Sequence, residues 1–103
     1  MSGRRLELSS CAKRDLRASI RYSLDTWDTR YRDEYARMLE EALLHVVNFP
    51  EMGIERPDVF AGAAMLPAGH HIIYYRVELE VLRIVRVLHE STDTFWTLPP
   101  PKL

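Results

Sequence analysis

The sequence is sparing with cysteine, lysine, glycine and long apolar runs, and each shortage narrows the reading. Cys11 is the one cysteine in 103 residues, so no internal disulfide can form. That suits a reducing compartment, and Cys11 itself reads as a small apolar residue near a helix start rather than as a reactive thiol. No apolar run approaches the roughly 20 residues of a membrane span. No apolar h-region follows Met1-Ser2-Gly3-Arg4-Arg5, so no signal peptide is read there and the cytoplasm is the expected location. A basic excess is also missing: 14 Lys and Arg face 15 Asp and Glu, for a formal net charge of −1. Proteins that hold nucleic acid through many phosphate contacts carry such an excess, so direct nucleic-acid binding by the lone chain is not expected. The cations are nearly all arginine, with lysine only at Lys13 and Lys102, which favours planar ion pairs at interfaces. There are four glycines, no internal repeat and no low-complexity linker.

What is present fits one small domain, expected over residues 1–96 with a Pro-rich tail over 97–103. An apolar content of 47% can fill one modest core. At this size folding buries well under three-quarters of the chain's surface, so a partner covering apolar surface would add stability.

Residues 4–9 (RRLELS) alternate and predict a short strand, after which Ser9 and Ser10 offer helix N-caps. Ala12, Leu16, Ile20, Leu24 and Trp27 form one stripe of an amphipathic helix over about 11–27. Asp28 and Thr29 are placed to stop that helix and cap a second. The second carries Tyr31, Tyr35, Met38, Ala42, Val46 and Phe49 and runs to about Asn48, before Phe49-Pro50. Residues 50–62 hold Pro50, Gly53, Pro57 and Gly62 and read as a loop. Residues 63–68 (AAMLPA) predict a poor strand, with Pro67 at its edge or end. Residues 70–77 and 81–89 predict a strong β-hairpin around Glu78-Leu79-Glu80. The order β-α-α-β-β-β predicts an α+β domain in which an antiparallel helical hairpin covers one face of a mainly antiparallel sheet. Simple alternation places Leu82, Ile84, Arg86 and Leu88 on one side of the last strand, and Val81, Arg83, Val85 and Val87 on the other. A sheet apolar on both faces, with helices enough for one, is expected to leave a face for a partner.

The stretch Gly69-His70-His71-Ile72-Ile73-Tyr74-Tyr75-Arg76-Val77, then Ile84-Val85-Arg86-Val87-Leu88-His89 and Asp93, resembles the C-terminal half of ParE-type toxins in the RelE/ParE superfamily. Leu8-Ser9, Ala12, Asp15-Leu16 and Ile20 resemble that family's entry into its first helix. The resemblance spans about residues 5–95. It implies a RelE/ParE-like fold and the toxin role of a type II toxin–antitoxin system. It also implies a ParD-like antitoxin whose C-terminal segment wraps the toxin in a hetero-oligomer, and DNA gyrase as a target inhibited by protein contact. RelE-like members instead cut messenger RNA on the ribosome, and an inactive member would only bind its antitoxin. The nuclease positions that the resemblance implies fall at His71, near Ser91 and near Thr97; the strand arginine and the tail tyrosine are absent. Where ParE-type members commonly carry a basic residue before the glycine, this chain has Ala63 and Ala64.

Weighed singly, His45, His70, His71 and His89 read as ordinary imidazoles, with His70 and His71 expected on opposite faces of a strand, and no metal site or cofactor is read. His89 and Asp93 read as a strand end and a turn, and no catalytic residue is assigned. The candidate partner-binding residues are Arg56, Arg76, Arg83, Arg86, His89, Asp93 and Trp96. Tyr31, Tyr35, Tyr74, Trp27 and Phe49 are expected in the core. Trp96, in polar company after the last strand, is expected at a contact surface.

Overall fold

A computed structural model of the chain describes residues 3–26 and 29–90, with the side chains of 20–26, 29 and 31 left aside. Strand β1 (Arg5–Leu8) leads into helix α1 (Ser10–Thr26), and helix α2 (Thr29–Asn48) into a 3₁₀ turn (Pro50–Met52). Strands β2 (Ile54–Glu55), β3 (Ala63–Ala68), β4 (His71–Val77) and β5 (Val81–His89) complete the chain's regular structure among the described residues. The five strands lie in the order β1-β5-β4-β3-β2. β1 runs parallel to β5, and every other pairing is antiparallel. The expected α+β order therefore stands, with the two-residue β2 added inside the segment read as loop.

Ser9 ends β1 and starts α1. Its hydroxyl accepts the Ala12 N–H at 3.0 Å, an N-cap, and donates to the Val85 carbonyl at 2.7 Å. Cys11, one residue into the helix, is exposed rather than buried. On α2 the expected stripe is widened by Leu39 and Leu43, which are buried with Val46. Phe49 departs from expectation: it lies past the last helical residue, where the stripe's phase no longer holds, and it is half exposed. Pro67 sits where β3 has β4 on one side and no strand on the other, since β2 reaches only Ala64 and Met65. The missing proline N–H therefore costs the sheet no bond on its outer side.

Two apolar clusters sandwich the sheet. On the helix side Ala12, Leu39, Leu43 and Val46 close over Ile73, Tyr75, Leu82, Ile84 and Val87. On the other side Val59 and Phe60 pack against Ala63, Met65, Ile72, Tyr74 and Leu88. The face expected to stand open is thus partly covered by the loop between β2 and β3.

Simple alternation along β5 fails at Val85. Tyr74 pairs with Arg86 while Tyr75 pairs with Ile84, so Val85 is an extra residue, a β-bulge. The bulge shifts the phase by one. Val87 moves to the helix side and Leu88 to the loop side. Arg83 and Arg86 face Arg76 and Tyr74, two residues apart on β4, and so start from the same face rather than from opposite faces.

Candidate partner-binding surface

Each candidate arginine in the described residues meets a carboxylate or other partner of the chain itself. Arg56 forms a bidentate pair with Asp58 at 2.9 and 2.8 Å, and its third nitrogen lies 3.5 Å from the Met65 sulfur. The Arg56 hydrogen bond holds the Asp58 carboxyl below the usual carboxylate range. Arg76 and Arg83, paired across the hairpin, converge on Glu78. Arg76 reaches one carboxylate oxygen at 2.7 and 3.1 Å, and Arg83 spans both at 3.2 and 3.3 Å. Hydrogen bonds from Arg83 first, then Arg76, lower the Glu78 pKa, and the same contact raises that of Arg83. Two guanidinium groups share one carboxylate and stay half exposed beside the hairpin turn, with Glu7 of β1 facing Arg83.

Arg86 plays a different part. β1 pairs with β5 only as far as Ile84, so the next stretch of β5 has an open edge. Asp15 on α1 fills it: one oxygen accepts the Val87 N–H at 3.0 Å, and both oxygens take the Arg86 guanidinium at 2.8 and 3.0 Å. The Asp15 hydrogen bond raises the Arg86 pKa. Arg86 therefore fastens α1 to the sheet, whereas Arg76 and Arg83 decorate the hairpin.

The histidines depart from the expected arrangement. His70 lies in the β3–β4 turn rather than in the strand, and its ring and that of His71 both gather on Tyr35, with centroids 6.4 and 5.5 Å away. His71 is buried, and its bonding roles follow from counting donors. The Tyr35 oxygen accepts the His70 N–H at 2.8 Å, so its own O–H is available for Nδ1 of His71 at 2.6 Å. Nε2 of His71 then carries the proton and donates to the Ser19 hydroxyl at 2.9 Å, which donates in turn to the Asp15 carbonyl at 3.0 Å. With His71 neutral, each of these four hydrogen bonds has one donor and one acceptor. Burial first, then the neighbouring His89 and His70, lowers its pKa to about 4. A buried, doubly bonded, neutral imidazole is a strut between both helices and β4, not an available acid or base.

His89 stands edge-on to His71 at 5.2 Å and stacks near His70 at 6.3 Å, and His70 pairs with Glu90 at 3.0 Å. No cluster of His, Cys, Asp or Glu with metal-holding geometry occurs among the described residues. Asp93 and Trp96, like Trp27, lie outside the described residues, as does the tail over 97–103. The structure thus brings Arg76 to Arg83 and His89 to His70 and His71, and leaves Arg56 apart. Sequence reasoning gave no role to Asp15 or Ser19, and it read Tyr35 only as core.

Over residues 6–94 the chain matches the family described as ParE toxin of type II toxin-antitoxin system, parDE. It is 36% identical over 86 residues to Toxin ParE1 of Caulobacter vibrioides, covering 84% of this chain and 88% of that one. It is 33% identical over 94 residues to Toxin ParE1 of Mycobacterium tuberculosis, covering 90% and 95%. Among solved structures, the chromosomal ParDE system of P. aeruginosa superposes with a TM-score of 0.72 at 17% identity, covering 84% of this chain and 96% of that one. The fold also matches a chain of the E. coli DinJ–YafQ toxin–antitoxin complex, with a TM-score of 0.57 at 15% identity over 88% of this chain and 97% of that one. Among the described residues no helix is long and apolar enough to cross a membrane. With the RelE/ParE-like order of elements in place and the match running through nearly all of them, the chain belongs to the ParE toxin family of type II toxin–antitoxin systems.

Proposed function

We propose that the chain inhibits DNA gyrase by binding it and is neutralised by a cognate ParD-like antitoxin in a toxin–antitoxin hetero-oligomer. Family membership supports the toxin role. The observation that carries the binding mode is the state of His71. It is the one nuclease position of the RelE-type resemblance inside the described residues that holds an ionisable group, and it is buried, neutral and bonded on both nitrogens. Cleavage of RNA needs an exposed acid and base with cations beside the scissile phosphate. The proposed contact residues toward gyrase or the antitoxin are the half-exposed Arg76 and Arg83 beside the hairpin turn and, at the other end of β5, His89, together with Asp93 and Trp96 farther along the sequence. Arg56 and Arg86 contribute mainly by holding the fold.

The test is a supercoiling assay with wild type, Arg83→Ala, Arg86→Ala and a chain truncated after Asp93. Wild type should inhibit. Arg83→Ala should weaken inhibition at least tenfold with an unchanged melting temperature, since truncating one partner of an interfacial charge pair costs roughly 2–5 kcal/mol. Arg86→Ala should lower the melting temperature instead. Adding the product of the neighbouring reading frame should restore supercoiling. Saturating wild-type protein that leaves gyrase untouched would make the chain an inactive member that only binds its antitoxin.

One arrangement favours a second reading, a RelE-like ribosome-dependent endoribonuclease. His70, His89 and Glu90 form a partly exposed imidazole–carboxylate group at the end of β5. Discrete cuts in translated messages that vanish in His89→Ala, mapped by primer extension, would replace the binding mode with this chemistry.

A further inference from the structure

The solvent face of α1 carries charge of one sign. Lys13, Arg14 and Arg17 are exposed. Successive helical residues turn by about 100°, so these three fall within an arc of about 100°. None of them forms an ion pair among the described residues, and Arg14 reaches only the Cys11 sulfur, at 3.8 Å. Asp15, the carboxylate between them in sequence, is turned to the sheet and taken by Arg86 and the Val87 N–H.

The needs of the helix do not explain these cations. α1 has no acidic residue in its first turn and no basic residue in its last. Its cations instead crowd toward the N-terminal end, where the helix dipole is already positive and added positive charge lowers stability. The net charge of −1 hides this asymmetry, because the exposed carboxylates Glu40, Glu41, Glu51 and Glu55 lie on α2 and after it. That balance argues against binding through many phosphates, and it leaves room for three local contacts.

The face calls for an anionic partner, and its other residues decide which. The exposed described residues of α1 are Ser10, Cys11, Lys13, Arg14, Arg17 and Ala18. No large apolar side chain is among them, so the face lacks the apolar centre of a protein interface. No aromatic ring is among them, so unpaired bases have nothing to stack on. The phosphate backbone of a duplex is held by cations alone, and Arg14 and Arg17 bring the planar fork that grips phosphate. A second copy of the chain fits poorly. A two-fold contact would set the three cations against their own counterparts. A head-to-tail contact with Glu40 and Glu41 would also bring up the exposed Arg37, one helical turn from both.

We propose that the Lys13, Arg14 and Arg17 face of α1 contacts the phosphate backbone of duplex DNA without reading its sequence. The source of the duplex rests on the gyrase reading: it is the DNA that gyrase holds, touched by α1 while other residues of the toxin meet the enzyme. The contact itself belongs to the chain and is measured without gyrase, so the two readings fail separately.

The probe is a fluorescein-labelled 20-base-pair DNA duplex titrated with the full-length chain and followed by anisotropy. Three phosphate contacts predict a slope of log affinity against log salt of about −2.7, or a loss of about fortyfold between 50 and 200 mM salt. Lys13→Ala, Arg14→Ala and Arg17→Ala combined should weaken binding at least tenfold at 50 mM salt and flatten the slope, with no fall in melting temperature. Arg83→Ala, on the hairpin, should bind the duplex as wild type does. No binding at 50 mM salt, binding indifferent to the triple substitution, or an equal loss in Arg83→Ala would overturn the proposal. So would a labelled poly-glutamate that binds as tightly as the duplex, which would make an acidic protein segment the partner. Sedimentation showing self-association abolished by the triple substitution would overturn it too, with a second copy as the occupant.

Discussion

The two faces of the sheet are both apolar, yet they are closed by different means. On one face two helices bury a large cluster, and the His70–Tyr35–His71–Ser19–Asp15 hydrogen-bond chain ties them down with every donor assigned. On the other a loop does the work of a layer. The Arg56 N–H bonds the Ala63 carbonyl at 2.8 Å, Val59 and Ala63 close turns onto Arg56 and Phe60 at 3.0 Å, and the Arg56–Asp58 pair braces the bend. A loop so pinned needs only Val59 and Phe60 to cover Met65, Ile72 and Tyr74. The lesson is that a short chain with helices for one face can still hide most of the second.

The largest expected effect tests that difference directly. Ile84→Ala on the helix side should cost about 4 kcal/mol, because rigid helices above it cannot collapse into the cavity. Met65→Ala under the loop should cost about 2 kcal/mol, because a loop can settle. Urea denaturation of both variants gives the two values. Equal costs would mean that the loop is as rigid a layer as the helices.

The next effect belongs to the helix side alone. His71 titrates at about 4 in the folded chain and near 6.5 when free. Between these values the unfolded chain holds more protons than the folded one, so stability is complete above about pH 6.5 and falls as the pH drops toward 4. The shift corresponds to about 3 kcal/mol. Tyr35→Phe removes the proton donated to Nδ1, which should lower stability at pH 7 by about 1–2 kcal/mol and shrink the acid-linked loss. Denaturation midpoints at stepped pH would show it. An identical pH profile in wild type and Tyr35→Phe would dismiss the strut role of His71.

These two faces were unequally legible in the sequence. Periodicities of 3.6 and 2 gave α1, α2 and β3 to β5 to within a residue or two, because each element buries one regular stripe. The bulge at Val85 left no mark: V-L-R-I-V-R-V-L-H alternates equally well with or without an extra residue, and no glycine flags the spot. β2, with two residues, is too short for any period. The covering loop did leave a signal, the apolar pair Val59-Phe60 between Pro57 and Gly62. Pro50, Gly53, Pro57 and Gly62 mark the segment as a loop, and a loop has no period that shows which of its residues are buried. The histidine strut was out of reach, since its partners stand 52 and 36 residues from His71 in the chain, and Tyr35 sits on a stripe that periodicity alone assigns to the core. The exposure of Phe49 follows the same logic. Phe49 falls in phase with the α2 stripe, and only the end of the helix at Asn48 turns it outward.

The smallest expected effect concerns Ile54, and it separates the apolar surface that folds the chain from the apolar surface that does not. Ile54 is 57% exposed and belongs to neither cluster. Ile54→Thr keeps the β-branch, and so the strand's torsional preference, while removing part of the apolar surface. Nothing in the interior loses a contact that the substitution takes away, so stability should stay within about 0.5 kcal/mol of wild type. Met65, its direct partner across the β2–β3 pairing, is buried, and its replacement is expected to cost several times more. The two residues are paired in the sheet, so the contrast compares an exposed residue on the short edge strand with its buried neighbour on β3. A loss of 2 kcal/mol or more in Ile54→Thr, measured by the same urea titration, would place Ile54 in the core.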